Sequence, residues 1–212
     1  ILTMRMMDRP IRPLFPDGFI DEIQLQALVL SHDGQTDADV VACTGAAAAL
    51  ALTDAPFQGP SATVRIGRIV TDSGPQFIIN PTQAQIEFGD LDLVLSGHRD
   101  GINMIEVGAA EISEADMVEA IRFGYEQGIK PILDLVDELR RAAGAPGPNM
   151  GTPALPEASI VALVKEKAYE EMKKARQIKG KKERNDTVDA LKKFIIDTHF
   201  AVPAGVPLPP PH

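Results

Sequence analysis

Three arginines open the chain at the spacing of one helical face. Arg5, Arg9 and Arg12 stand at i, i+4 and i+7 within RMMDRPIRPLFP. A guanidinium forks onto oxyanions, so three on one face suit phosphate groups. The same spacing also suits structural salt bridges with Asp8 and neighbouring acids, and the residues alone leave both readings open. Pro10 complicates a regular helix here, although proline is tolerated in the first turn of a new one. Further on, Asp90 and Asp92 place two carboxylates on one side of a strand, with Asp100 in the turn that follows. Such carboxylates can hold Mg2+ beside substrate phosphates, but solvated acids at a strand entrance are the commoner case. Other catalytic signatures are absent: no P-loop, no dinucleotide glycine fingerprint, no H-E-x-x-H and no C-x-x-C. The histidines His32, His98, His199 and His212 are scattered, which argues against zinc. Cys43 sits among small apolar residues, where a buried inert thiol is expected. A single cysteine forms no internal disulfide and fits a reducing compartment.

Alternating strand and helix patterns position these residues up to about residue 143. Ile20 to Ser31 (IDEIQLQALVLS) is β-capable and is expected to be a strand. Asp37 to Thr53 reads as a helix with Asp37 and Asp39 in its first turn, apolar all round and so buried. Ser61 to Asp72 alternates, with Gly67 a candidate bulge, and turns through Ser73-Gly74-Pro75 into Gln76–Asn80 as a hairpin. Leu91 to Ser96 pairs with Gly101 to Val107. Ser113 and Asp116 have the form of a capping box opening a helix that Pro131 should kink or break at a junction. Short hairpin connections imply a mixed α/β (α+β) domain with a largely antiparallel sheet.

Residues 144–156 are rich in Pro and Gly and read as a linker; 157–200 carry two helical patterns and form a small all-α domain. Ile160, Leu163, Val164 and Met172 give the first its stripe. Asn185 is a candidate cap for the second, whose apolar face is Val188, Leu191 and Ile195. Residues 201–212 are a Pro-rich tail, expected to be extended or disordered.

The 212 residues carry 44% hydrophobic and 24% charged residues, ordinary globular usage that excludes wholesale disorder. No apolar run approaches the ~20 residues of a membrane span, and no signal peptide is expected ahead of Ile1. With no Trp and 5% aromatics, a stacking surface for single-stranded nucleic acid is not indicated. The net charge of -9 is uneven: residues 159–200 hold an excess of Lys and Arg over acids, while the remainder is strongly acidic. A solvated helical surface accounts for that excess without a partner.

MMDRPIRPLFPDGF (6–19), DADVVACTGAAAALALTDAPFQGP (37–60), VRIGRI (64–69), INPTQAQI (79–86) and DLDLVLSGHRDGINMIEVGA (90–109) closely resemble the polynucleotide phosphorylase family. The resemblance covers residues 1 to about 200, with Phe57-Gln58-Gly59-Pro60 a mild departure from the usual F-N-G-P. It implies an RNase PH-like (ribosomal protein S5 domain 2-like) fold. It implies that 1–143 are the later part of a first core domain lacking its N-terminal part, followed by the all-helical domain. In the family two such cores, KH and S1 domains act together. Inorganic phosphate attacks the 3′-terminal phosphodiester of RNA and releases nucleoside diphosphates, and the reverse reaction extends RNA.

The resemblance also sets what this segment contributes. A second core would hold the phosphate-binding serines and an aspartate pair six residues apart. Gln35-Thr36-Asp37-Ala38-Asp39 stands at the serine position here, where acids repel phosphate. Asp92 matches the later aspartate, but Ile86 replaces the earlier one. No catalytic residue is therefore expected in this chain, no bound cofactor, and no metal site beyond Asp92 as a candidate. Arg5 and Arg9, with Arg12 nearby, are expected to contact RNA or phosphate. The parent enzyme would be a polyribonucleotide nucleotidyltransferase of mRNA degradation that uses Mg2+. It would be a cytoplasmic homotrimer, off the membrane, that can join an RNA-degrading multiprotein complex. A core so truncated is expected to be unstable or aggregating alone. Two alternatives remain: a non-catalytic RNA-binding or scaffold protein with a degenerate RNase PH fold, and a metal-dependent nuclease built on Asp90 and Asp92.

Overall fold

Ala62, Val64 and Ile66, apolar at alternate positions, bury one side of the central strand of the first unit. The computed structural model describes residues 2–200, so the Pro-rich stretch 201–212 lies outside the described residues. The chain forms two compact units, Ile1–Pro153 and Ala154–His212.

In the first unit, β1 (Ala62–Thr71) pairs with β2 (Gly74–Ile79) and with β3 (Leu91–His98), and β3 pairs with β4 (Gly101–Ala109). All three pairings are antiparallel, in the order β2-β1-β3-β4. Both expected hairpins are present. Between them α3 (Gln83–Glu87) carries the chain across, opened by a reciprocal capping box of Thr82 and Gln85.

Helices cover both faces of this sheet. On one side Val64, Ile66, Leu93 and Leu95 pack fully buried against Ala120, Ile129 and Leu133. These come from α4 (Glu114–Phe123), a π-helical turn (Gly124–Ile129) and α5 (Lys130–Ala142). Pro131 marks a junction, where the π-helical turn gives way to α5. Pro131 stands in the first turn of α5, where its missing N–H costs nothing, and the widened turn precedes it. Gly124 lets that turn touch the sheet, since a Cβ there would lie 2.6 Å from Ile66 Cδ1. On the other side Met6 of α1 (Leu2–Ile11) and Val40 and Cys43 of α2 (Ala38–Ala51) pack on Val94 and Met104.

Burial pushes the Cys43 thiol up to about 11, with the nearby Asp39 carboxylate adding to the effect. The folded state therefore keeps its proton where the unfolded thiol, near 9, has lost it. Stability from this group is complete below pH 9 and declines toward pH 11. Urea unfolding between these values, compared with Cys43→Ala, should show a steeper decline for the native chain; equal slopes would contradict it.

Three local expectations are corrected. Ile20–Ser31 forms no strand, because its backbone meets no partner among the described residues. Gly67 is no bulge: it pairs in regular register with Ile78 and Asp92. Its missing side chain instead admits the Pro81 ring, 3.0 Å from where a Cβ would stand. The register shifts instead between Ser96 and Gly97, where β3 meets β4. α2 is buried on one face only, and Val41 on the other is 64% exposed.

The second unit is a helical pair, α6 (Ala158–Arg176) and α7 (Lys181–His199). Its buried residues are Ala168, Ala175, Val188 and Ile195, so small alanines rather than the expected Ile160–Met172 stripe make the seam of α6. α7 starts at Gly180, not at Asn185, because good helix formers at 181–184 extend it by a turn.

Candidate nucleic-acid interface

Met6, Pro10 and Ile11 anchor α1 to the body of the first unit and leave its opposite side to solvent. Arg5 and Arg9 stand on that exposed side. Pro10, next to the end of α1, is held by Asn103, whose Nδ2 donates to the Pro10 carbonyl at 2.9 Å. Arg12 lies beyond α1 in a 3-10 turn (Arg12–Leu14), so the three arginines do not share one helix.

Each arginine has different company. Among the described residues no acid lies within ion-pair reach of Arg5. Arg9 Nη1 donates to Glu106 on β4. Arg12 donates twice to Asp8, from Nη2 at 2.7 Å and from Nε at 3.1 Å. Both readings of the arginine cluster therefore meet in one place. These pairs are half-exposed, a setting in which an ion pair contributes about 0–1 kcal/mol. A guanidinium has five N–H donors, and Arg9 uses one of them on Glu106. The pairings orient Arg9 and Arg12 without exhausting them. Arg12 also borders a cleft of about 660 Å3, with Asp8, Phe15, Phe19, Asp21 and Gln24 among its walls. Phe15 stacks on Phe19 there at 5.2 Å between ring centroids.

The acids follow another pattern. Asp92 turns toward α2, where Arg65 gathers it together with Asp37 and Asp39. Arg65 Nη2 reaches Asp39 at 2.8 Å, and Asp37 accepts from Arg65 Nη1 and Gln83 Nε2. Asp90 instead meets Arg68 at 2.6 Å, and Arg68 reaches on to Asp116 at the start of α4. Asp90 and Asp92 thus serve two separate arginines and form no shared site. Arg65 Nε and Asp92 Oδ1 stand 3.5 Å apart, too long for a hydrogen bond, and neither finds another partner.

Mg2+ does not fit this arrangement. The carboxylates that would hold it already neutralise guanidiniums, and no group of three or more metal-type ligands converges among the described residues. Asp92 is accordingly an ion-pair partner of Arg65. The sequence alone presents Arg65 and Arg68 only as the polar side of a strand. Their separation by three residues, against a surplus of acids at 37, 39, 90 and 92, was the available signal. A second polar contact was also missed: Thr44 Oγ1 donates to the Thr63 carbonyl and accepts from the Thr63 N–H, and Thr63 Oγ1 pairs with Ser96 Oγ at 2.8 Å. It ties α2 to the sheet beside Cys43. No helix among the described residues is long and apolar enough to cross a membrane.

Comparison with known proteins gives the family. Residues 1–56 match the 3′ exoribonuclease family, domain 1, and residues 59–127 match domain 2 of the same family. A polyribonucleotide nucleotidyltransferase from Sorangium cellulosum is 44% identical over 93% of this chain and 25% of its own length. One from Geotalea uraniireducens is 43% identical over 90% of the chain and 26% of its own length, and one from Microcystis aeruginosa 42% over 96% and 28%. The chain spans about a quarter of the length of these curated relatives. A solved structure of rice (Oryza sativa) Rrp46 overlaps 51% of the chain and 47% of its own at 15% identity and a TM-score of 0.39, a loose likeness on which nothing rests. The antiparallel sheet with helices on both faces, carrying both domain matches, is RNase PH-like, and the chain belongs to the 3′ exoribonuclease family.

Proposed function

We propose that this chain is the scaffold and RNA-guiding part of a 3′-to-5′ phosphorolytic exoribonuclease, a polyribonucleotide nucleotidyltransferase, whose chemistry belongs to another domain. The observation that carries the reading is the pairing of two facts. The arginines Arg5 and Arg9 stand exposed on α1, while the acids of the catalytic-type positions are tied up by Arg65 and Arg68. A strand of RNA brings phosphates that the exposed guanidiniums can fork onto, at the small expense of the Arg9–Glu106 pair. Arg12 joins them at the mouth of its cleft.

The reading extends to the parent protein. Residues 1–143 belong to its first core as part of that domain, 144–156 are a linker and 157–200 its helical domain. Its partners are RNA, inorganic phosphate and nucleoside diphosphates, with Mg2+ held by residues outside this chain. It works in the cytoplasm as a homotrimer and joins an RNA-degrading complex.

The test is RNA binding by the longer enzyme. Arg5→Ala with Arg9→Ala should weaken binding of single-stranded RNA about equally across sequences. The slope of log affinity against log salt should become shallower by about one unit for each phosphate no longer held. Unchanged affinity and slope would remove both arginines from the RNA path.

A further inference from the structure

We propose that the turn joining α6 to α7 is a further contact for the phosphate backbone of single-stranded RNA, an inference that rests on the RNA-degrading function proposed above. Residues 173–184 (KKARQIKGKKER) hold seven Lys or Arg and a single acid, Glu183. Lys173, Lys174 and Arg176 end α6, while Lys181 and Lys182 begin α7, so the hairpin gathers them at one end of the helical pair. Lys179 stands in the turn between them, and all six side chains are exposed. Arg184 fixes the turn that presents them, its Nη1 donating to the Ile178 carbonyl at 3.1 Å.

Elsewhere on these helices lysines find acids: Lys167 meets Glu166, Lys174 meets Glu171 and Lys192 meets Asp189. A solvated surface explains those. At the turn, Lys173, Arg176, Lys179, Lys181 and Lys182 have no acid within ion-pair reach among the described residues. Helix stability does not explain them either, because Lys181 and Lys182 sit in the first turn of α7, where the dipole disfavours cations. Unpaired ammonium groups are costly to bury, so this end faces water in a longer protein as well. The remainder of the chain is strongly acidic, which repels a polyanion everywhere but here. A protein partner needs an apolar centre to pack on, and the turn offers only the half-buried Ile178. With no aromatic residue in 173–184, the contact holds the sugar–phosphate strand and reads no base.

The experiment is fluorescence anisotropy of labelled oligo(A) and oligo(U) titrated with the longer enzyme at several salt concentrations. Lys179→Gln with Lys181→Gln and Lys182→Gln should weaken binding of both RNAs by about tenfold at low salt. The slope of log affinity against log salt should become shallower by about two, since each phosphate released from a single strand contributes about 0.7. Far-UV circular dichroism should not change, because these side chains are exposed. Lys165→Gln with Lys167→Gln and Lys192→Gln removes the same charge away from the turn and should leave affinity and slope as they are. A loss seen only in the Arg5→Ala, Arg9→Ala variant overturns this proposal and leaves the guiding role of α1 standing. No loss in either variant overturns both. An equal loss in the control variant, or a loss on one RNA alone, also overturns it, because net charge or base recognition would then govern.

Discussion

Arg65→Ala should lower the unfolding free energy of the first unit by about 3 kcal/mol. The guanidinium is nine-tenths buried and faces Asp37, Asp39 and Asp92. Removing it leaves three carboxylates facing one another with no counter-charge, and breaking a buried pair from one side costs about 3–5 kcal/mol. The acids keep part of their surface in water, which places the expected loss at the lower end. Arg65→Lys should restore only part of it, because an ammonium is a point charge and cannot fork across Asp37 and Asp39 together. Urea unfolding with an unchanged denaturant slope reads the effect. A loss below about 1 kcal/mol would mean that solvent, not Arg65, neutralises the acids.

Leu93→Ala should be comparably severe, through a different cause. Leu93 is fully buried at the centre of β3, packed among Ile66, Leu95 and the helices of one face. Truncation leaves a cavity that the sheet, paired on both sides of β3, cannot close, and such sites lose about 2–5 kcal/mol. Phe88→Ala is the matched control: its ring is largely exposed, and its loss should stay within about 0.5 kcal/mol. Parallel urea curves of equal midpoint for Leu93→Ala and the native chain would contradict the packing described.

Local rules carried the sequence reading as far as local forces reach. The two hairpins were legible because alternation and a short turn fix a strand and its neighbour together. α2 was legible from the acids at its start and the run of small residues behind them. The Ser113 cap was legible too: its hydroxyl accepts from the Asp116 N–H at 3.1 Å, while the Asp116 carboxylate takes the Ser113 hydroxyl instead of the backbone. What failed needed partners distant in the chain. Ile20–Ser31 carries strand chemistry, but a strand exists only where another backbone meets it. Arg65 looked like solvated polarity because Asp37 and Asp39 lie 28 and 26 residues earlier and converge only once α2 docks on β1. Gly67 suggested a bulge by type alone, whereas its use is to admit Pro81.

The candidate site divides the same way. Arg5 and Arg9 were candidates by their spacing and by the resemblance, and both lie exposed. Arg12 was placed on their face by counting residues, and the 3-10 turn after α1 moves it beside Asp8. The separation of Asp90 from Asp92 was not legible, since Arg68 and Arg65 draw them to different elements.

Phosphate-dependent release of nucleoside diphosphates from poly(A) tests the division of labour most directly. The purified 212-residue chain should release none, with or without Mg2+, and activity should arise only when a second-core partner is supplied. Turnover by the chain unaided, lost on Asp92→Asn, would contradict the account and place a working metal site where Arg65 now stands.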